Sequence, residues 1–255
     1  MIELIELIKP DLLSVSHFTV LIIFSFVTSA LTAVMGVGGG AMLIAVMATF
    51  MPAAAIIPVH ALVQLGSNGG RCWLLRQHVR RDILLWFFVG SILGALMGGQ
   101  LAFNLPSEAI TLILGCFILA SCWLPITRSL GGNKSMATLG GITTFLTMFI
   151  GATGPFVIAS IKHLIPERRE LVSTTAALMS FQHAIKALTF GLFGFAFIDW
   201  IGLIGLMVGT GFLGTLAGQY LLERFPNHQY HKILKLLLTF IAIRLIVTSA
   251  LSLAQ

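Results

Sequence analysis

The stretch TSALTAVMGVGGG, Thr28 to Gly40, returns 115 positions later as TTFLTMFIGATGP, Thr143 to Pro155. The copies coincide at Thr28/Thr143, Leu31/Leu146, Thr32/Thr147, Gly36/Gly151 and Gly39/Gly154. Each is an apolar helical run that stops at a glycine cluster and restarts as another apolar run. In water a glycine cluster is an ordinary turn. Within a membrane it leaves backbone groups unpaired, which is tolerated only where that backbone is buried in protein or lines a cavity. Two such breaks in corresponding halves of a chain point to a transporter's binding site.

The rest of the sequence belongs in a bilayer. Hydrophobic residues make up 57% and charged residues 9% of the 255 positions, against about 25% charged in a soluble domain. Apolar runs recur from Phe18 onward, many near the length of about 20 helical residues that spans a hydrocarbon core. No low-complexity linker divides the chain, so 1–255 reads as one transmembrane domain, with repeat one at about 18–127 and repeat two at about 136–253. Glu3 and Glu6 stand where a cleaved leader has basic residues, so no removable signal peptide is expected. Cys72, Cys116 and Cys122 lie in or beside apolar segments, an odd set that argues against a disulfide framework.

The net charge of +6 is set by topology and does not mark a nucleic-acid patch. Arg71, Arg76, Arg80 and Arg81 cluster in one connection, Lys162, Arg168 and Arg169 in another, and Arg224, Lys232 and Lys235 in a third. The intervening connections at 52–58, 104–108 and 195–199 hold no Lys or Arg. Basic connections alternating with neutral ones follow the positive-inside rule. If 136–165 simply crossed, Lys162, Arg168 and Arg169 would lie on the wrong side; a hairpin keeps them with the other basic loops. The expected fold is therefore all-α and integral to the membrane. It has two inverted-topology repeats, each a re-entrant (broken) helical hairpin plus three transmembrane helices. GALMGGQLAFNLP from Gly94 also aligns with GTLAGQYLLERFP from Gly214, now 120 positions on. Trp73, Trp86, Trp123 and Trp200 fall near expected segment ends, as interfacial anchors do.

The breaks are the first candidates for chemistry: Gly36, Gly38, Gly39 and Gly40 in one copy, Gly151, Thr153, Gly154 and Pro155 in the other. Half-helices starting there would aim free N–H groups and a partial positive charge at the membrane centre, a setting for an anion. GVGGGA also echoes a dinucleotide fingerprint, but no strand or acidic ribose partner accompanies it. The helix after each break supplies the second signal. His60, Gln64, Ser67 and Asn68 share one helical face, with Arg71 at its end; at a shift of 115 the other copy carries Thr175, Met179, Gln182, His183 and Lys186. Arg71 reads as a side chain that snorkels to the surface. Lys186 and Arg244 fall within apolar segments, where burial costs at least about 2.5 kcal/mol and a functional reason is the default. Every Asp and Glu falls in an expected loop or terminus. The interior thus has cations, amides, hydroxyls and helix starts, and no carboxylate.

The TAVMGVGGGAMLIAVM run, Pro52 six residues before Pro58, the polar helix that follows and the half-length repeat together resemble the sulfite exporter (TauE/SafE) family. The second copy departs from the GxGGG pattern, with Ala152, Thr153 and Pro155 in its place. The resemblance implies a multi-pass protein of the bacterial inner membrane that exports sulfite or an organosulfonate such as sulfoacetate. The charge alternation places the basic loops in the cytoplasm and, with the count of crossings, both termini in the periplasm. A dianion leaving an inside-negative compartment gains roughly 4.6 kcal/mol per 100 mV, so outward flow needs no coupled ion. The expected partners are a small anion and the lipid bilayer, with no cofactor, no metal and no nucleic acid; a homo-oligomer is compatible with the sequence. Two other classes are weighed. A transporter or channel for another small solute or metal ion has ten methionines and the core histidines in its favour. A membrane-embedded enzyme would need a convergent catalytic group, and the spans carry no HExxH, paired carboxylates or Cys/His cluster.

Overall fold

The computed structural model describes residues 8–35, 38–123, 132–221 and 228–253. These form ten α-helices and, among the described residues, no strand. The first half contributes α1 (Val15–Met35), α2 (Gly39–Phe50), α3 (Ala53–Leu74), α4 (Leu84–Phe103) and α5 (Ser107–Trp123). The second contributes α6 (Asn133–Ile150), α7 (Gly154–Ile161), α8 (Arg168–Leu192), α9 (Ile201–Leu221) and α10 (His228–Leu253). The stretches 15–34, 81–102 and 197–220 are long and apolar enough to cross a membrane by length and composition. Helices α3 and α8 are as long, at 22 and 25 residues, but carry the polar stripe.

Both expected breaks are present. Helix α1 ends at Met35 and α2 starts at Gly39; α6 ends at Ile150 and α7 starts at Gly154. Gly38 holds φ 103° and Gly151 holds φ 77°, backbone that a side chain strains, so glycine is needed at both. With 12 and 8 residues, α2 and α7 reach only about 18 and 12 Å. Residues 41 to 47 of α2 are all buried, as expected of a helix apolar on every side. One expected start is corrected: α3 begins at Ala53 and carries Pro58 inside it, so the helix does not wait for that proline. Its lost N–H bond falls early in the helix, where neighbouring helices can cover the freed carbonyl.

The halves are interleaved. The most extensive contacts join α4 to α6 and α9 to α1, that is, elements of opposite halves. Both seams follow one design of glycine against backbone. A Cβ on Gly90, Gly94 or Gly98 of α4 would meet the carbonyl oxygen of Ala137, Gly141 or Phe145. On α9, Gly214 and Gly218 face the Phe26 and Ala30 carbonyls in the same way. Thr210, the counterpart of Gly90, donates its hydroxyl to the Ile22 carbonyl at 3.1 Å. Each pair on α9 and α1 lies 120 and 115 positions before or after its equivalent on α4 and α6, so the sequence repeat is also a repeat of contacts. The remaining large interfaces, α3 with α8 and α5 with α10, pair each helix with its own counterpart.

The outer surface is apolar. Leu93, Leu96 and Met97 of α4, Leu213 of α9 and Phe240 of α10 are all more than half exposed, a lipid-facing pattern for a multi-pass membrane protein. Trp73, Trp86 and Trp123 are exposed as interfacial residues should be, but Trp200 is 5% exposed and belongs to the core. None of the three cysteines, all among the described residues, forms a disulfide.

Candidate functional site

The two breaks and the polar faces of α3 and α8 enclose one cavity. Its volume is ≈ 40 Å³. That is room for a few waters or one compact oxyanion. Gly38, Gly40 and Ala41 line it from the first break, and Gly151, Ala152, Gly154 and Pro155 from the second. His60, Gln64, Asn68 and Arg71 come from α3; Thr175, Met179 and His183 from α8; Thr32 from α1.

The side chains are held by short local bonds that leave some polar atoms uncommitted. The His60 Nε2–H donates to the Gly40 carbonyl at 3.0 Å, fixing the ring against the first break. Its Nδ1 has no partner and lies beside Gly151. His183 packs edge-on to His60, centroids 5.7 Å apart, and its Nδ1 is also without a partner. Asn68 Nδ2 donates to the Gln64 carbonyl at 2.9 Å and to Gln64 Oε1 at 3.2 Å. The Arg71 guanidinium reaches Asn68 Oδ1 and Ser67 Oγ at 3.3 and 3.4 Å, while Nε stays unbonded. The Thr175 hydroxyl is likewise unsatisfied. Buried polar atoms without partners are rare in native proteins and call for an explanation; here four of the residues that bear them face one cavity.

The helix starts differ in what they present. At α2 the N–H groups of Gly39, Gly40 and Ala41 lie outside the helix's own ladder, which begins with Met42 N–H to the Gly38 carbonyl at 3.0 Å. At α7 Pro155 has no N–H and the Phe156 N–H is taken by the Thr153 carbonyl, leaving Gly154. The first break is therefore the richer donor.

Several expected site residues act behind the cavity wall. Gln182 donates to Thr143 Oγ1 at 2.7 Å and Thr144 Oγ1 at 2.8 Å and accepts from Thr153 Oγ1 at 3.2 Å, tying α6, the second break and α8 together. Ser67 holds Ser29 at 3.1 Å, the equivalent brace in the first half. Gly39 lets α2 close on α1: a Cβ there would strike the Thr28 carbonyl and the Thr32 hydroxyl. Lys186 is fully buried and its Nζ donates to the Gly151 carbonyl at 3.2 Å and, more weakly, to Thr147 Oγ1 at 3.5 Å. It sits at the carbonyl side of the second turn, not in the cavity lining. Arg244 lies on the exposed face of α10, away from the cavity. Gly36 lies outside the described residues.

Arg71 corrects another expectation. It is 2% exposed and lines the cavity, so it does not snorkel out of the protein. Thr32, Ala41, Ala152, Thr175 and Met179 complete the wall and were not singled out as binding residues. The 115-residue repeat sets Thr32 opposite Thr147 and Thr175 and Met179 opposite His60 and Gln64, whereas it gives no such signal for Ala41 or Ala152. Among the described residues no Asp or Glu lines the cavity, and no group of His, Cys, Asp and Glu could hold a metal ion.

The family model "Sulfite exporter TauE/SafE" matches residues 21–245, nearly the whole chain. No curated protein and no solved structure matches it.

Proposed function

The chain belongs to the sulfite exporter TauE/SafE family, a family of membrane transporters, and from that premise we propose that it carries a small oxyanion, sulfite or an organosulfonate such as sulfoacetate, through the cavity between its two breaks. One observation carries the reading. The cavity is walled by N–H groups, amides, imidazoles and a guanidinium, with no carboxylate among its described residues. A cation would meet repulsion from Arg71 and from Lys186 behind the wall; an anion would supply the acceptor that Arg71 Nε–H, the Thr175 hydroxyl and His183 Nδ1 in its N–H form lack, while His60 Nδ1, an acceptor as long as Nε2–H donates to Gly40, would take the proton of a hydrogen-bearing anion such as bisulfite. The volume suits sulfite as it stands, and a longer sulfonate requires the walls to part.

In this reading α2 and α7 are re-entrant half-helices whose starts meet at mid-membrane, and the repeats are inverted. Each half holds one broken hairpin and three crossings, an odd number, so the second copy enters from the opposite side. The exchanged seams α4–α6 and α9–α1 support a twofold relation between the halves, which repeats every contact with the halves swapped; the inversion itself rests on the odd number of crossings. Gly38, Gly40, Gln64, Asn68, Gly154 and the two histidines then contact the anion, while Ser67, Thr153 and Gln182 hold them in place and Lys186 adds positive charge behind the second break. We place the basic loops in the cytoplasm of a bacterial inner membrane, both termini outside, and the flow outward, down the membrane potential.

The test is efflux of labelled sulfite from vesicles containing the purified chain. Efflux that depends on the protein and accelerates with an inside-negative potential supports the proposal. Equal leak from protein-free vesicles, or transport of a divalent metal instead, refutes it.

A further inference from the structure

Arg71 has a second face. Its guanidinium also lines a larger cavity of ≈ 550 Å³, bounded by Leu75, Val172 and Ala33 and by the charged groups Glu167, Arg168 and Arg169, with Gln219 at its wall. This vestibule is more than ten times the size of the inner cavity. Its charge is three guanidinium groups against one carboxylate. That carboxylate is already engaged: Glu167 accepts from the backbone N–H groups of Arg169 and Glu170 at 2.9 and 2.5 Å, capping α8. Two buried donors at the vestibule wall have no partner, Arg71 Nε and Gln219 Nε2. Among the described residues Arg71 itself is bound only by neutral oxygens at 3.3 Å or more.

The equivalent region of the other half is filled. Arg71 corresponds to Lys186, Ala33 to Met148, Leu75 to Phe190, Val172 to Ile57 and Gln219 to Gly99. Met148, Phe190 and Ile57 are all buried, and Gly99 packs against Thr189. The two halves thus differ where they should match: one side holds a wide basic opening, the other a plug of apolar side chains.

We propose that the vestibule is a second anion site, wide enough for bulky organic sulfonates that the inner cavity does not admit, with Arg71 as the guanidinium shared between the two. This rests on the anion reading of the inner cavity. An arriving sulfonate is first held by Arg168, Arg169 and Gln219 and then meets Arg71, which can bond it from the vestibule side without leaving Asn68 and Ser67. A compact oxyanion passes on; an aromatic sulfonate stays and blocks the entrance.

Thermal stabilisation of the purified chain by sulfite and by naphthalene-1-sulfonate, each against sodium chloride of equal ionic strength, separates the two sites. Two variants are compared with the wild type: Gln64→Leu in the inner cavity and the exposed pair Arg168→Gln/Arg169→Gln in the vestibule. The vestibule proposal expects naphthalene-1-sulfonate to stabilise the wild type and Gln64→Leu alike. Its half-saturating concentration should rise about tenfold in the arginine pair, since charge-assisted bonds are the strong ones. Sulfite should keep its effect on the arginine pair and lose it on Gln64→Leu. No effect of naphthalene-1-sulfonate on the wild type, or an equal effect on the arginine pair, overturns the vestibule site. Failure of sulfite to stabilise any form, with the naphthalene-1-sulfonate pattern intact, instead removes the inner site and leaves the vestibule standing.

Discussion

Adding one methyl group at Gly214 should destabilise the protein, while the same change five residues earlier should not. At Gly214 a Cβ would strike the Phe26 carbonyl oxygen and lie 2.9 Å from its carbon and 3.0 Å from Cα, all backbone that cannot swing aside. At Gly209, on the same helix, it would meet nothing within 4 Å. Overpacking of this kind costs about 1–3 kcal/mol, with rigid neighbours placing it toward the upper end. Alanine in place of helical glycine returns about 1 kcal/mol. The net for Gly214→Ala is therefore a loss of about 1–2 kcal/mol. For a chain of this size each kcal/mol moves Tm by about 2–4 °C, so Tm should fall by about 2–8 °C. Gly209→Ala should leave Tm unchanged or raise it by up to about 4 °C. Gly94→Ala, whose Cβ meets the Gly141 carbonyl at the equivalent seam, should behave like Gly214→Ala. Tryptophan fluorescence of the detergent-purified protein on heating reads all three. Equal shifts for Gly214→Ala and Gly209→Ala would refute the backbone-contact account. A silent Gly94→Ala beside a costly Gly214→Ala would refute the equivalence of the seams.

Gln64→Leu should reduce sulfite efflux about tenfold or more, since it removes a cavity amide and the acceptor of Asn68; Arg244→Gln, on the exposed face of α10, should leave efflux within about twofold of wild type. Lys186→Met should keep or raise Tm, because a buried ammonium with only neutral oxygen partners at 3.2 and 3.5 Å gives way to an apolar chain of similar length. A large loss of Tm would show that the lysine anchors the second turn. The backbone N–H groups of Arg169 and Glu170 hold the Glu167 carboxylate below its ordinary range. Its contribution is then present above the unfolded-state value and lost as pH falls through the lower, folded one. Glu167→Ala should lower Tm at neutral pH, with the gap to wild type closing as acid protonates the carboxylate.

The breaks were legible because they occur twice. One glycine cluster in apolar sequence is a common packing device, but a second copy at a fixed distance makes it a structural unit, and both became helix interruptions with glycines at positive φ. The polar stripe on α3 was legible for the same periodic reason, and its His60, Gln64, Asn68 and Arg71 line the cavity while Ser67 does not. What sequence did not give was direction on helices without a polar face. Helix α10 is apolar nearly all round, so nothing in its pattern told whether Arg244 faced inward; it faces out. Arg71 erred the other way. Its place at the end of a helix suggested a side chain reaching for water, but Ser67 and Asn68, one turn earlier, fold the guanidinium back over the cavity. Gln182 is the repeat counterpart of Ser67 on the polar stripe, yet three threonines consume its amide. Spacing shows which side chains share a face, and only partners across the interface decide which of them remain free to bind.

The most direct measurement is a structure of the chain with selenite, a heavy-atom counterpart of sulfite, located by its anomalous signal. One selenium peak is expected between the two breaks, within hydrogen-bond reach of Gln64 or Asn68 and of the N–H groups that open α2. A saturating soak that leaves that cavity empty and places selenium only on the outer surface would contradict that placement.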